Sequence, residues 1–258
     1  MVGEDAKKTG TQALERAIAV LRLFADEDAP QSLTQVSRAL GLNPTTTHRI
    51  LATLVRERLL AHDASSERYR IGPDALLLFA AAARRYGIAA ARAELDALVA
   101  ATNETAALGM LDASDIVVVL QAESALALRV SRPVGTRVPA HVSAMGKAMI
   151  AFGTDPGAHV DALGKLHSFT THSITDKPRL LEDLRLTRER GWAVNDNERY
   201  DGVRAVAVPI VRGDEPVRAA VGLQGPSERF VDSRIDELVA LLQASARRLA
   251  VVLQISSF

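Results

Sequence analysis

Polar and basic side chains recur on one face of a predicted helix that begins at Pro44. At 100° per residue, the outward side chains of this helix are Thr45, Thr46, His48, Arg49 and Arg56. The major groove of B-DNA admits an α-helix and presents a distinct pattern of donors and acceptors for each base pair. We expect Arg49 to contact a guanine edge or a phosphate. The hydroxyl and imidazole groups at positions 45, 46 and 48 provide further DNA contacts.

A second pair of arginines, Arg68 and Arg70, lies in a predicted β-hairpin that follows this helix. We expect them to contact the DNA backbone or the minor groove. The segment 31–72 has six arginines against three acidic residues, whereas the whole chain has 31 basic and 31 acidic side chains. Any DNA site is therefore local, because the protein as a whole has no basic field. A module that only contacts other proteins, with this polar face solvated, is the alternative.

Other groups of side chains have the types that enzymes and metal sites use. They are the histidines His159, His167 and His172, the pair His141 and Ser143, and the acids Asp196, Glu198 and Asp201. The histidine spacing matches no zinc pattern, and the chain has no cysteine to supply a thiolate. Ser143 lacks the glycine-flanked elbow of a hydrolase and suits a helix N-cap. The acids form either a solvated loop or a structural hydrogen bond through Glu198.

A phosphate-binding loop is excluded at Gly146 and Lys147, since no glycine stands five residues before Gly146 and alanine follows the lysine. We therefore predict no catalytic residue, no metal and no cofactor. The alternative function is a metabolite-processing enzyme with an accessory helix-turn-helix module.

Local signals predict the elements that position the outward arginines. Ser32, three residues before Gln35, has the pattern of a capping box and opens a short second helix that ends at Gly41. Asn43 followed by proline starts the third helix. A first helix precedes them, and its predicted buried stripe is Leu14, Ala17, Ile18, Leu21 and Phe24. Three helices followed by a hairpin describe a winged helix-turn-helix.

The chain beyond the hairpin divides into a linker and a larger domain. An Ala- and Leu-rich segment predicts helices between 73 and 101, and short β-branched runs with turns and further helices follow. An amphipathic helix over 232–255 closes the chain. This pattern indicates an α+β domain around one mostly antiparallel sheet. The predicted organisation is a flexible tail over 1–12, a winged helix over 13–75, a linker helix over 76–92 and the larger domain over 93–258.

No segment for export or membrane insertion is predicted. The opening residues include acids and lack an apolar core, and the longest apolar stretch, Ala75 to Ala83, is far shorter than the roughly 20 residues that span a bilayer. We expect a cytoplasmic protein without membrane contact.

Several motifs, in one order from about Ala13 to Ile255, resemble those of the IclR-type transcriptional regulators. They are LTQVSRALGLNPTTTHRILATLVRERLL, YRIG at 69–72, PAHVSAMGKAMIAF at 139–152, RGWAVNDNERYDGVRAVAVPI at 190–210 and GLQGPSERF at 222–230. The resemblance implies that the larger domain is GAF-like and serves effector binding and oligomerisation. It also implies a homodimer or homotetramer on a palindromic operator in double-stranded DNA, and repression or activation of a catabolic operon. Of these two, we predict a repressor.

The resemblance also implies an effector pocket at the motif AHVSAMGKA and the strands that follow it. Carried over by position, its lining is Ala144, Met145, Asn195, Ala205, Gly222 and Gln224. Relatives that respond to small keto acids are similar to one another in having an acid, a thiol and hydroxyls among these positions, which this chain lacks. Small residues leave volume, and amides both donate and accept hydrogen bonds. Our hypothesis is a roomier, less charged pocket for an aromatic or amide-bearing small molecule.

Overall fold

The chain folds into two compact units, Met1–Ala83 and Arg84–Phe258. The computed structural model describes residues 4–26 and 29–254. The division between the units falls inside the segment predicted as a linker helix, 76–92. Among the described residues, no helix is both long enough and apolar enough to cross a membrane.

The N-terminal unit has the predicted order of helices and hairpin. Its described elements are α1 (Glu4–Asp26), β1 (Gln31–Ser32), α2 (Leu33–Leu40), α3 (Pro44–Arg56), β2 (Leu60–Asp63), β3 (Arg68–Ile71) and the first part of α4 (Asp74–Tyr86). The three strands form an antiparallel sheet in the order β1-β3-β2, which confirms the winged helix. The sequence pattern does not predict β1, because two residues are too few to show alternation.

The predicted caps of α2 and α3 are present. The Ser32 hydroxyl accepts from the Gln35 backbone N–H at 3.3 Å, and the Gln35 side chain accepts from the Ser32 N–H at 2.8 Å. The Asn43 side chain accepts from the Thr46 N–H at 2.8 Å. Gly41, between the two helices, has a φ of 62°, a left-handed conformation that glycine adopts at little steric cost. The turn between α2 and α3 thus follows from local chemistry.

The core of the N-terminal unit uses only the last turns of α1. Its buried residues are Val20, Phe24, Val36, Leu51, Leu54, Leu60 and Tyr69. The predicted stripe on α1 is wrong at its start, because Leu14 is 62% and Ile18 is 43% exposed. The helix also begins at Glu4, so the predicted flexible tail over 1–12 is helical from that residue, and residues 1–3 lie outside the described part. Helix-forming residues without proline allow this extension.

The C-terminal unit is built around one antiparallel sheet. Its helices are α5 (Ile88–Thr102), α6 (Ala144–Ala151), α7 (Pro156–Ala162), α8 (Lys177–Arg190) and α9 (Asp232–Val252). Its strands are β4 (Thr105–Asp112), β5 (Asp115–Ala122), β6 (Arg137–Pro139), β7 (Ala193–Asp196), β8 (Val203–Pro209) and β9 (Ala219–Pro226). The order is β6-β5-β4-β9-β8-β7 with every neighbouring pair antiparallel, which confirms the predicted α+β class.

Helices cover both faces of this sheet. α5 and α9 contact each other and the central strands, whereas α6 contacts β8 and β9 and is backed by α7 and α8. The two faces can be distinguished along β9. Gly222 faces Met145 on α6, whereas Gly225 faces Glu104 just after α5. Residues that are three apart on a strand point to opposite faces of the sheet. The surroundings of α6 are therefore separate from those of the α5–α9 layer.

The predicted linker helix, 76–92, is two helices instead of one. α4 and α5 are separated by Gly87, which has a φ of 71° and leaves no room for a Cβ beside the Val252 carbonyl oxygen. α5 belongs to the C-terminal unit, where it buries Leu95 and Leu98. The closing helix, predicted over 232–255, ends at residue 252, and Ile255 lies outside the described residues.

Candidate nucleic-acid interface and internal cavity

One face of α3 is polar and directed outward, in the predicted phase. The inward side chains Thr47, Leu51 and Leu54 are buried. We call the outward set the α3 outer face, and its residues are Thr45, Thr46, His48, Arg49 and Arg56. All of them are exposed except Thr46, which is partly buried. The side chains in the first turns of α3 are therefore accessible from outside the protein.

The four arginines predicted to contact DNA differ in their existing partners. Within the described residues, the guanidinium groups of Arg49 and Arg70 have no hydrogen bond or ion pair. Arg56 pairs with the neighbouring glutamate at 3.0 Å, and both side chains are exposed. Arg68 Nη1 donates to the Pro30 carbonyl oxygen at 2.7 Å, so this side chain also holds β3 against the start of the sheet. Arg49 and Arg70 thus have the most accessible donors of the four.

A buried pair of hydroxyls joins α2 to α3. The Ser37 hydroxyl donates to the Thr47 hydroxyl oxygen at 3.0 Å, and the Thr47 hydroxyl donates to the Asn43 carbonyl oxygen at 3.1 Å. Buried polar groups without partners are costly, so this chain of hydrogen bonds favours one arrangement of the two helices. The direction of the α3 outer face is therefore set from inside the unit.

Side-chain hydrogen bonds also define the tip and base of the hairpin. The Asp63 carboxylate accepts from the Ser65 N–H at 2.9 Å and from the Ser65 and Ser66 hydroxyls at 2.7 and 2.8 Å. These bonds lower the pKa of Asp63 to about 2. At the base, a Cβ on Gly72 would overlap the carbonyl oxygen of Arg58, so only glycine fits there. Both features fix the strand that carries Arg70.

An internal cavity of about 30 Å³ lies between α6 and the sheet of the C-terminal unit. All six residues that the family resemblance implied as pocket lining border this cavity, namely Ala144, Met145, Asn195, Ala205, Gly222 and Gln224. A volume of this size holds one or two water molecules. The cavity is therefore much smaller than the roomy pocket that we predicted.

The side chain of Met145 accounts for the small volume. It fills the space that two glycines leave. If each glycine had a Cβ, the Met145 Sδ would lie 3.0 Å from that of Gly109, and the Met145 Cγ would lie 3.3 Å from that of Gly222. Methionine is unbranched and has three rotatable side-chain bonds. The volume of the cavity therefore depends on the conformation of this flexible side chain.

The two amides at the cavity are not equally free. Asn195 Nδ2 donates to the Val142 carbonyl oxygen at 2.5 Å, and its Oδ1 accepts from the Glu198 N–H at 3.0 Å. Its amide therefore holds the cavity wall together. Gln224 Oε1 accepts a hydrogen bond, but its Nε2 is buried without an acceptor among the described residues. Only Gln224 matches the prediction of an amide available to a ligand.

Sequence reasoning missed two polar residues of the lining, Arg132 and Ser143. Arg132 Nε donates to Gln224 Oε1 at 3.0 Å across a separation of 92 residues, and Arg132 lies in an irregular segment without periodic pattern. No local signal could have found it. Ser143 caps α6 by accepting from the Gly146 N–H at 3.4 Å, which confirms the predicted N-cap.

Among the other side chains that enzymes use, His141 and Glu198 have structural partners, whereas the buried His159 Nε2 has none among the described residues. His141 Nε2 lies 3.0 Å from the His167 carbonyl oxygen, and burial lowers the pKa of His141. Lys147 Nζ lies 2.6 Å from Glu198 Oε1 and 3.0 Å from Asp183 Oδ2, which confirms the structural interpretation of Glu198. Within the described part of the chain, no three His, Cys, Asp or Glu side chains are arranged to hold a metal ion.

Comparisons with known proteins match both units. A family model described as the IclR helix-turn-helix domain matches residues 13–64, and one described as the bacterial transcriptional regulator IclR C-terminal domain matches residues 80–251. The HTH-type transcriptional regulator BhcR of Paracoccus denitrificans is 33% identical over 93% of this chain and 87% of the relative. The transcriptional repressor IclR of Escherichia coli is 28% identical over 94% of this chain and 90% of the relative.

A solved structure gives the same fold with a small molecule bound. It is an IclR homolog from Microbacterium hydrocarbonoxydans in complex with 4-hydroxybenzoate, and the comparison covers 95% of this chain and 100% of that one. The TM-score is 0.80 and the sequence identity 20%, so this likeness concerns the fold alone.

Proposed function

Because the chain belongs to the IclR family of bacterial transcriptional regulators, we propose that it represses a catabolic operon by binding a palindromic operator through the α3 outer face and the hairpin. A small molecule in the cavity of the C-terminal unit shifts the operator affinity. The family consists of regulators, so the alternative of an enzyme with an accessory helix-turn-helix is rejected. A cytoplasmic location is part of the proposal, since bacterial operators lie there.

The observation that carries the DNA-binding proposal is the exposed guanidinium of Arg49, which has no partner within the described residues. It stands beside His48 and one turn after Thr45, and recognition helices contact base edges through their first turns. Arg70 continues the positive charge onto the hairpin. This combination suits base contacts from α3 and backbone contacts from β3.

Operator binding with and without metabolites tests both units together. We expect the protein to bind a fragment upstream of its own or a neighbouring gene, with an affinity that falls steeply as salt rises because phosphate contacts release counterions. A metabolite of the adjacent pathway should change that affinity. A protein that binds no such fragment at any salt concentration would contradict the proposal.

We propose that the functional species is a homodimer or homotetramer. Four consecutive large apolar side chains on α4 are exposed: Leu76 by 68%, Leu77 by 66%, Leu78 by 65% and Phe79 by 56%. A second copy of the chain would cover this patch, and a twofold dimer matches the two half-sites of a palindrome. Light scattering should give a mass at least twice the 27.6 kDa of one chain. A mass of one chain would reject this part of the proposal.

The proposed effector is an aromatic or amide-bearing small molecule that enters when Met145 moves aside. The Microbacterium hydrocarbonoxydans protein of the same fold holds 4-hydroxybenzoate, an aromatic molecule. In this chain the small residues Ala205 and Gly222 border the cavity, and a buried Gln224 Nε2 lacks an acceptor among the described residues. A ring would occupy the space that Met145 vacates, and a polar group would accept from Gln224.

An Ala205→Leu substitution should strongly weaken the effector response and leave operator binding unchanged. The three added carbons would occupy the little free space at the cavity and hinder its opening around a ligand. We expect the metabolite concentration for half-maximal release to rise by at least roughly tenfold, which corresponds to about 1.4 kcal/mol. Ala240→Leu, on the exposed side of α9, is the matched control. An unchanged response in Ala205→Leu would place the effector site elsewhere.

A further inference from the structure

The Arg132 guanidinium borders the cavity without an acidic partner. Its Nε donates to Gln224 Oε1 at 3.0 Å, and within the described residues no Asp or Glu side chain forms an ion pair with it. A guanidinium has five N–H donors, so most of its donor capacity is unused here. Charges that are withdrawn from water are ordinarily paired, because an unpaired one is costly.

The neighbours of Arg132 add to the positive charge. Arg132 Cζ lies 5.3 Å from the centre of the Tyr200 ring, and Arg199 Cζ lies 5.1 Å from the same centre. Two cations therefore share one aromatic ring. Burial lowers the pKa of Arg132; the interaction with Tyr200 opposes this, and the charge of Arg199 lowers the pKa further. An anion placed at Arg132 would relieve both costs.

The second unused donor at this position is Gln224 Nε2. Its oxygen is already occupied by Arg132, so the amide is oriented with its N–H groups toward the cavity side, where they are buried without an acceptor among the described residues. An orphan buried donor costs free energy that a bound acceptor recovers. A cation and an amide donor next to each other suit a ligand group that accepts hydrogen bonds, and the charge of Arg132 favours a negatively charged one.

We propose that Arg132 is a specificity-determining residue that pairs with a carboxylate of the effector, with Gln224 Nε2 donating to the same group. This inference rests on the proposed effector site and narrows its ligand to acids. A carboxylate has the two acceptor oxygens that a guanidinium edge and one amide can satisfy. The ring of an aromatic carboxylate would occupy the space that Met145 vacates beside Gly222, so an aromatic acid fits better than a short aliphatic one.

The test compares acids with their neutral isosteres on the full-length protein. Calorimetry should show that benzoate and 4-hydroxybenzoate bind at least about tenfold more tightly than benzamide and 4-hydroxybenzamide. Each pair has the same ring and nearly the same shape, so the difference isolates the charge. Equal binding of acid and amide would overturn the proposal, and so would the absence of binding by both acids at millimolar concentration.

Variants show whether Arg132 is responsible for the preference. Arg132→Met should remove the difference between acid and amide, whereas Arg132→Lys, which keeps the charge, should retain part of it. Arg129→Met is the matched control, because Arg129 belongs to the same segment but pairs with Glu123 at 3.0 Å. An acid preference that persists in Arg132→Met would overturn the assignment. Thermal unfolding of each variant establishes that it is folded, and Arg132→Lys covers the case in which the methionine variant is not.

Failure of the proposed function gives a different result. If benzoate binds with the expected preference but never changes operator affinity, the anion site stands and its regulatory role is wrong. If only neutral metabolites bind and change operator affinity, the regulatory role stands and the assignment of Arg132 is wrong. The two readouts, ligand binding and operator binding, are therefore independent.

Discussion

An Arg49→Ala variant should lose about 1–3 kcal/mol of specific operator binding, which is roughly a fivefold to 160-fold increase in Kd. The side chain is exposed on α3 and has no partner within the described residues, so its donors are free for a guanine edge. The same lack of internal contacts means that the substitution should barely affect folding. Titrations of wild type and variant with the operator and with an unrelated fragment of equal length, at several matched salt concentrations, measure the loss.

Two comparisons make the result specific. Arg247→Ala removes an exposed arginine on α9 and should leave operator binding unchanged. If Arg49 contacts a phosphate instead of a base, the loss will be the same on both fragments and the salt slope will fall by about one. Undiminished binding of Arg49→Ala to both fragments would show that Arg49 does not contact DNA.

The N-terminal unit could be predicted closely because its signals are local. The capping box of Ser32 and Gln35 and the Asn43 cap each act within three residues, and the helical phase of α3 follows from its own sequence. The errors arose where a distant element decides. The burial of α1 depends on where α2, α3 and the hairpin reach it, so Leu14 and Ile18 look like core residues but are exposed.

The cavity was predictable in its residues but not in its volume or charge. Its six expected lining residues lie in motifs that resemble those of a known family, so we could infer that they lie around one cavity. Its size depends on the rotamer of Met145, which no spacing reveals. Its charge depends on Arg132, which reaches Gln224 from 92 residues away. Long-range side-chain contacts of this kind are set by tertiary packing.

Lys147 shows the same limit in another way. Its neighbours in sequence suggested the end of a phosphate loop, which the surrounding residues excluded, and no structural role could be assigned from spacing. The structure buries its side chain at 1% exposure and pairs it with Glu198 from 51 residues away. The pair holds α6, which begins at the cavity wall, to the loop after β7.

A Lys147→Met variant should therefore destabilise the C-terminal unit by about 3–5 kcal/mol. The substitution removes the lysine that forms ion pairs with Glu198 and Asp183, and it leaves a buried and a partly buried acid that only the charge interaction with Arg190 is known to offset among the described residues. Replacing an entire buried ion pair by apolar groups often leaves the stability unchanged, but removing one partner leaves the other as an unpaired buried charge. Trp192, the one tryptophan of the chain, lies between α8 and β7, so its fluorescence reports urea unfolding of this unit alone.

The loss should depend on pH in a defined direction. Burial raises the pKa of Glu198, and the charge of Lys147 opposes that rise. Without the lysine, the folded-state pKa of Glu198 rises further above the unfolded value, so the folded variant keeps this proton to higher pH than the unfolded chain does. The contribution of Glu198 to the free energy of unfolding is fully present only below its unfolded-state pKa, and it is lost as the pH rises through its folded-state pKa. The difference from wild type should therefore be larger at neutral pH than in mild acid.

Control variants separate this effect from the loss of a lysine as such. Lys165→Met, at an exposed position, should change stability by no more than about 0.5 kcal/mol. Adding Glu198→Gln to Lys147→Met removes one unpaired buried charge. The double variant should regain part of the lost stability, and most of the added pH dependence should disappear. Because Asn195 at the cavity wall accepts from the Glu198 N–H, Lys147→Met should also weaken effector binding. A Lys147→Met protein as stable as Lys165→Met at neutral pH would show that the buried lysine does not hold this wall in place.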